Sequence, residues 1–387
     1  MIPVSEALDR LFSLAQPLGT EEVPLLQANG RWLARTVQAR RNQPPFAASA
    51  MDGYAVNAAS PGQRLTIIGE SAAGHRFNGE VAPGQAVRIF TGAPVPEGAT
   101  RVVIQEDVTR EGDNIVINSV EDGTNIRPAG TDFEIGRQID VPRRLGPNDI
   151  ALMASMNIAR VPVARRPKVA LISTGDELVM PGETPGPDQI IASNTFGLYA
   201  LLQDLGAEPR LLPIARDNAA SLKTAFSLIG DADLVITIGG ASVGDHDLVA
   251  PVAAELGMER AFHKVAMRPG KPLMSGRLNQ SMMSGLPGNP VSAMVCGHVF
   301  VAPVIRAMLG LGLAPAPRRS APLAAPVPAN GPREHYMRAR LDADGLTSFE
   351  RQDSSLLSVL GAANALLVRP AGDDARQAGE IVEYLPL

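Results

Sequence analysis

The chain has 387 residues, more than one hydrophobic core normally supports, so several domains are expected. Its 35 Lys and Arg against 40 Asp and Glu leave a formal net charge of -5, which disfavours a nucleic-acid partner because phosphate backbones select basic faces. The single cysteine, Cys296, excludes an internal disulfide framework and fits a reducing, cytoplasmic setting.

In chain order, residues 1–41 carry helical spacing, with Leu8, Leu11 and Phe12 on one face and the apolar pattern continuing over 25–34. The first fifteen residues read as a capped amphipathic helix and not as a secretion signal. From 44 to 132 the chain becomes rich in Gly, Pro, Val, Ile and Thr. Short strands are expected there at 65–68, 86–90, 101–105 and 115–117, which predicts a small β-barrel or sandwich-like module.

Three loops of this module carry more polar chemistry than a turn needs. AASAMDGYAV sets Asp52 before Gly53, which either projects a carboxylate or forms an ordinary turn. RIFTGAPVPEGA sets Thr91 and Gly92 after a strand and braces them with Pro94 and Pro96. NIRPAGTDF sets Arg127 and Asp132 around Pro128 and Gly130, where the arginine is a phosphate clamp or a solvated charge.

Residues 136–167 read as strand, helix (147–156) and strand, ending at the basic pair Arg165 and Arg166. Strands at 169–172, 208–213, 234–238 and 260–265 then alternate with helices at 193–205, 219–229 and 248–256, the pattern of a doubly wound α/β domain. The apolar run 291–313 contains His298, Pro303 and Arg306, so it reads as a core helix and not as a membrane span; Cys296 within it reads as a buried structural thiol. A Pro/Ala-rich connection at 314–332 leads to a small C-terminal β domain.

The polar chemistry concentrates where strands run into glycine. In VITIGGASVGDHD an apolar strand meets Gly239, Gly240 and Gly244, where backbone N–H groups can crowd an anion because no Cβ blocks the approach. Ser242 adds a hydroxyl, and Asp245 and Asp247, which repel an anion, would instead hold a hard cation that neutralises phosphate. The alternative is a tight turn whose glycines serve geometry alone. VALISTGDEL repeats the pattern with Gly175, Asp176 and Glu177, and MRPGKP adds Arg268 and Lys271. In GLPGNPVSAM, Asn289 as cap and Pro290 at the first helical position open a helix facing the same cleft. Loops at the carboxyl edge of a parallel sheet gather in one crevice, so these segments are expected to converge on a metal-bridged phosphate or oxyanion.

SAMDGYA, FTGAPVPEGA, NIRPAGTDF, VALISTGDEL, ITIGGASVGDHD, MRPGKP and GLPGNPVSA occur in this order across nearly the whole chain. Together they resemble the MoeA family of molybdopterin molybdenumtransferases. The resemblance implies a multidomain α/β plus β fold. It comprises an elongated domain (1–45 and 133–166), an inserted small β module (46–132), a doubly wound α/β domain related to molybdopterin adenylyltransferases (167–313) and a C-terminal small β domain (314–387). It also implies a homodimer whose cleft joins the α/β domain of one subunit to the β module of the other. Asp52, Thr91, Arg127 and Asp132 would line the partner side; Glu177, Asp217 and Asp247 would form the acidic side, with Pro287 and Pro290 shaping the turn. Lys264, Arg268 and Lys271 fall in the family's basic stretch, where Arg268 replaces a lysine seen in some members, and Arg333 and Ser354 match positions associated with the oxyanion site.

The implied reaction is adenylyl-molybdopterin plus molybdate giving molybdenum-molybdopterin and AMP. Mg2+ would be held by Glu177, Asp217, Asp245 or Asp247, and a molybdopterin adenylyltransferase would supply the substrate. The competing readings are adenylyltransferase activity itself and a non-catalytic scaffold of the same fold. No nucleic acid or membrane partner is expected, and the expected location is the cytoplasm.

Overall fold

The structure, a computed structural model, describes residues 1–240 and 248–387 and divides into two units: Met1–Glu21 with Ala164–Leu387, and Glu22–Val163. Ser242, Gly244, Asp245 and Asp247 lie outside the described residues.

In the first unit the α/β sheet has six strands: β1 (Lys168–Ser173), β2 (Glu208–Leu211), β3 (Leu234–Ile238), β4 (Met258–His263), β5 (Met274–Leu278) and β6 (Ser281–Leu286), in the order β2-β1-β3-β6-β5-β4. The first four in that order run parallel, and β5 and β4 add an antiparallel edge. The near-continuous apolar runs of β1 and β3 suit strands covered on both faces. Ala170, Ile172 and Val235 pack with Leu222, Phe226 and Val252 from the helices α2 (Ala219–Ser227) and α3 (Val249–Glu255), while α1 (Asn194–Asp204) precedes them in the chain. Asn218 caps α2 by accepting the Ser221 N–H.

The apolar run after β6 forms α4 (Pro290–Cys296), a π turn at Gly297–Val301 and α5 (Ala302–Met308). This span is long and apolar enough to cross a membrane, but 83% of it is buried inside the protein, so it is a core helix. Cys296 is buried there, and burial raises its thiol pKa.

The first helix, Val4–Leu14, buries Leu8, Leu11 and Phe12 as expected, but it is not side-chain capped: Pro3 holds the N-cap position and Ser5 lies inside the helix. The helical expectation for 25–34 is overturned. A strand (Thr20–Pro24), a single 3-10 turn (Leu25–Gln27) and a strand (Trp32–Leu33) stand there. Pro24 offers no N–H, the Leu25 N–H goes to the Ala159 carbonyl, and Trp32–Leu33 pairs with Arg143–Arg144, so tertiary pairing outweighs spacing.

The second unit carries a six-stranded sheet in the order Arg101–Ile104, Gly53–Val56, Gln85–Ile89, Arg64–Ser71, Asn114–Ile117, Val108–Glu111. The four expected strands are present. The stretch read as the AASAMDGYAV loop is in part the buried strand Gly53–Val56, hydrogen-bonded on both edges. The C-terminal sheet pairs Glu334–Asp342 with Ala365–Arg369 and with Gly345–Ser348. Its far edge is Met267–Arg268, lent by the segment between β4 and β5 and placing Arg268 opposite His335.

Candidate functional site

A cavity of about 750 Å³ opens at the carboxyl ends of β1, β3 and β6, lined among others by Thr174, Glu177, Asp217, Gly239, Gly240, Pro287, Pro290 and Ser355. The glycines are there because the loops touch. A Cβ on Gly239 would sit 2.8 Å from the Thr174 carbonyl oxygen, and one on Gly240 would sit 2.3 Å from Val249 Cγ2. At Gly175, with φ +151°, a Cβ would meet Glu177 Oε2 at 2.3 Å, so the Glu177 carboxylate folds back over its own turn.

The acidic loops hold each other. Asp176 Oδ1 accepts the Asp217 N–H at 3.1 Å, Asp217 Oδ2 accepts the Asp176 N–H at 3.4 Å, and Arg216 Nη1 donates to the Asp176 carbonyl at 2.8 Å. Asp176 was not singled out as a site residue; its place beside Glu177 in the GDEL stretch was the available signal. Glu177 and Asp217 are exposed and share one cavity. Among the described residues no group of three or more His, Cys, Asp or Glu could by itself hold a metal ion. Two carboxylates still suit a hard cation whose remaining ligands are phosphate oxygens and water.

Asn289 and Pro290 open α4, but the expected side-chain cap is absent. Asn289 Nδ2 instead donates to Ser354 Oγ at 2.9 Å, and the Val291 N–H goes to the Ser354 carbonyl at 3.1 Å. A loop of the C-terminal domain therefore satisfies the helix start, because its carbonyl reaches the free N–H first. Asn194 Nδ2 fixes the preceding turn through the Gly288 carbonyl at 2.6 Å.

Of the basic residues, Lys264 takes φ +73°, with its N–H on the Leu273 carbonyl, and the Lys271 carbonyl accepts the Val265 N–H. The Arg268 and Lys271 residues are exposed, and Arg333 Nη1 reaches the Met267 carbonyl at 3.5 Å. Burial, then the charges of Arg268, Arg338, Arg333 and Arg369, push His335 down to about 4, so it is neutral at neutral pH.

In the second unit Asp52 Oδ1 accepts two hydrogen bonds from Thr91, from N–H at 2.7 Å and from Oγ1 at 2.8 Å. These bonds, with a smaller contribution from the Arg88 charge, hold the Asp52 carboxyl below its ordinary range. Arg88 stacks 5.1 Å from the Tyr54 ring centre and 4.7 Å from that of Phe90, and Nη1 donates to the Gly53 carbonyl. Arg127 pairs with Ala48, and the Asp132 N–H goes to the Gln43 carbonyl at 2.9 Å. Gly92, Arg127 and Asp132 line a second cavity of about 610 Å³ with Arg41, Gln43 and Phe46. The structure thus joins Asp52 to Thr91 and Arg127 to Asp132 in one unit, and Glu177 to Asp217 in the other.

Comparison with known proteins covers the whole chain. Residues 2–157 match the family described as "MoeA N-terminal region (domain I and II)", residues 170–307 the "Probable molybdopterin binding domain", and residues 320–387 the "MoeA C-terminal region (domain IV)". A molybdopterin molybdenumtransferase of Nostoc sp. is 37% identical over 100% of this chain and 94% of its own length. One of Bacillus subtilis is 33% identical over 99% and 94%. A crystal structure of the molybdopterin biosynthesis MoeA protein from Pyrococcus horikosii superposes with a TM-score of 0.85 at 32% identity, covering 100% of this chain and 99% of that one.

Proposed function

The chain belongs to the MoeA family, and on that premise we propose that it is a molybdopterin molybdenumtransferase, which inserts molybdenum from molybdate into adenylyl-molybdopterin and releases AMP. The observation that carries the reading is the crevice itself: Glu177 and Asp217 line it together with Ser355 of the C-terminal domain, whose neighbour Ser354 is bonded to Asn289 at the start of α4.

The chemistry fits a binding and electrostatic task. Molybdate is a dianion and its acceptor carries phosphates; two like charges 4 Å apart repel by about 4 kcal/mol at an effective dielectric of 20. Lys264, Arg268, Lys271, Arg127 and Arg333 would offset that repulsion, and Ser354 would donate a hydrogen bond to an oxyanion. Gly239, Gly240, Ser242 and Gly244 would let backbone N–H groups approach phosphate, with Pro287 and Pro290 holding the turn. Glu177 and Asp217, with Asp245 and Asp247, would hold Mg2+, which when bound neutralises the pyrophosphate and the departing AMP. No covalent nucleophile on the protein is needed, since the dithiolene belongs to the substrate.

The Asp52, Thr91, Arg127 and Asp132 set completes the site from the second subunit of a homodimer in this reading. The setting is the cytoplasm, with a molybdopterin adenylyltransferase as donor. Molybdate-dependent AMP release from adenylyl-molybdopterin tests the activity; adenylylation of molybdopterin by Mg-ATP without molybdate would assign the donor's reaction instead. Replacement of Glu177 by Gln is expected to abolish AMP release from a folded dimer, which a non-catalytic scaffold would not show.

A further inference from the structure

Thr91 holds the carboxylate of Asp52, but the backbone that carries this carboxylate is held from elsewhere. The Asp52 carbonyl accepts the Gln105 N–H at 3.1 Å. Arg88 reaches both sides of that bond: Nη1 donates to the carbonyl of Gly53, the next residue, at 3.1 Å, and Nη2 donates to Gln105 Oε1 at 2.7 Å. Arg88, Gly53, Asp52 and Gln105 thus close a ring of chain and hydrogen bonds around the Asp52 peptide. The ring spans neighbouring strands, since Gly53–Val56 lies between Gln85–Ile89 and Arg101–Ile104, and Gln105 directly follows the last of these. Gly53 has no room to give: a Cβ there would stand 2.0 Å from the Val103 carbonyl oxygen.

The guanidinium contributes shape as well as charge. Arg88 pairs with the buried Tyr54 across the sheet, and it lies over the Tyr54 ring and over that of Phe90, two residues further along. Phe90 in turn precedes Thr91, whose amide and hydroxyl both bind Asp52 Oδ1. One planar group therefore braces the Asp52 backbone and the segment that supplies the two donors to its carboxylate. A lysine would carry the same charge, but it has neither the fork that spans two separate acceptors nor the flat face that stacks on rings.

We propose that Arg88 is a positioning residue: by clamping the Gly53 carbonyl and Gln105 it keeps the Asp52 carboxylate on the Thr91 donors and turned one way. That Asp52 serves molybdenum transfer rests on the function proposed above; that Arg88 orders Asp52 does not.

The test reads the order of Asp52 without substrate, by hydrogen-deuterium exchange of the full-length protein and its R88K and R88M variants. The Thr91 and Gln105 amides are both bonded to Asp52. Loss of the clamp is expected to speed their exchange about tenfold in both variants. The amides of Asn114–Ile117, two strands away from Gln85–Ile89 in the same sheet, should keep the parent rates. In molybdate-dependent AMP release kcat should fall about tenfold in R88K and R88M alike, because a reacting group held out of place costs rate. Q105M removes one acceptor and leaves the guanidinium whole; it should speed the Thr91 amide in the same direction if the Arg88 variants fail to fold. Parent-like exchange at Thr91 and Gln105 in the variants that fold overturns the proposal. Faster exchange throughout the sheet, the mark of a purely structural arginine, also overturns it. So does an R88K protein that matches the parent, which leaves charge as the whole contribution, and so does selective loosening with kcat unchanged. A parent that releases no AMP refutes the molybdenumtransferase reading alone, and exchange then decides whether Arg88 orders Asp52.

Discussion

Thr91 gives a single oxygen of Asp52 two hydrogen bonds, one from its amide and one from its hydroxyl, across 39 residues of sequence. The exposed carboxylate is thereby fixed in direction and kept ionised, with one oxygen left for a ligand. Thr91→Val removes the hydroxyl bond and keeps the amide. Because the folded pKa of Asp52 lies below its ordinary value, losing that bond raises it. The acid limb of the pH profile of AMP release is expected to move to higher pH, with the melting temperature unchanged. An acid limb that stays in place would remove Thr91 from the control of Asp52.

Gly175→Ala places a methyl group where Glu177 Oε2 lies, 2.3 Å from the new Cβ, at a φ that side chains rarely adopt. The carboxylate must leave its position over the turn. A displacement of about 1 Å at a reacting site costs on the order of 100-fold in rate, so AMP release should fall by roughly that factor. Steady-state kinetics check this, with circular dichroism to confirm an intact fold.

Asp373 joins Arg376 and the buried Arg369, and hydrogen bonding to Arg376, then to Arg369, lowers its pKa despite burial. The sign follows from the depressed folded value. The stability it contributes is present above the ordinary carboxylate pKa of about 3.9 and is lost as pH falls through the lower folded pKa. Asp373→Asn strands the Arg369 charge, whose side chain is 2% exposed, at an expected cost of about 3–5 kcal/mol at pH 7. Urea denaturation at pH 7 and below pH 4 should show the gap between parent and variant narrowing in acid.

Strands whose apolar runs stand between clear turn signals, such as those at 86–90 and 234–238, were legible because their sequences allow few other placements. Gly53–Val56 was not: it is four residues long and its first residue follows Asp52 in an Asp-Gly pair that reads as a turn, although it is paired on both edges in its sheet. At the site, the glycine loops and the acids beside them were visible as patterns. The partner of Asn289 was not, since Ser354 lies 65 residues away in a loop of the C-terminal domain.

Subunit mixing tests the proposal of a site shared between subunits most directly. Asp52→Asn and Glu177→Gln homodimers should each be inactive in molybdate-dependent AMP release. If the site is built from both chains, a heterodimer of the two variants contains one wholly intact site, and activity returns when the proteins are mixed and allowed to exchange. If each chain carries its own complete site, the heterodimers form, as native mass spectrometry would register, and no AMP is released.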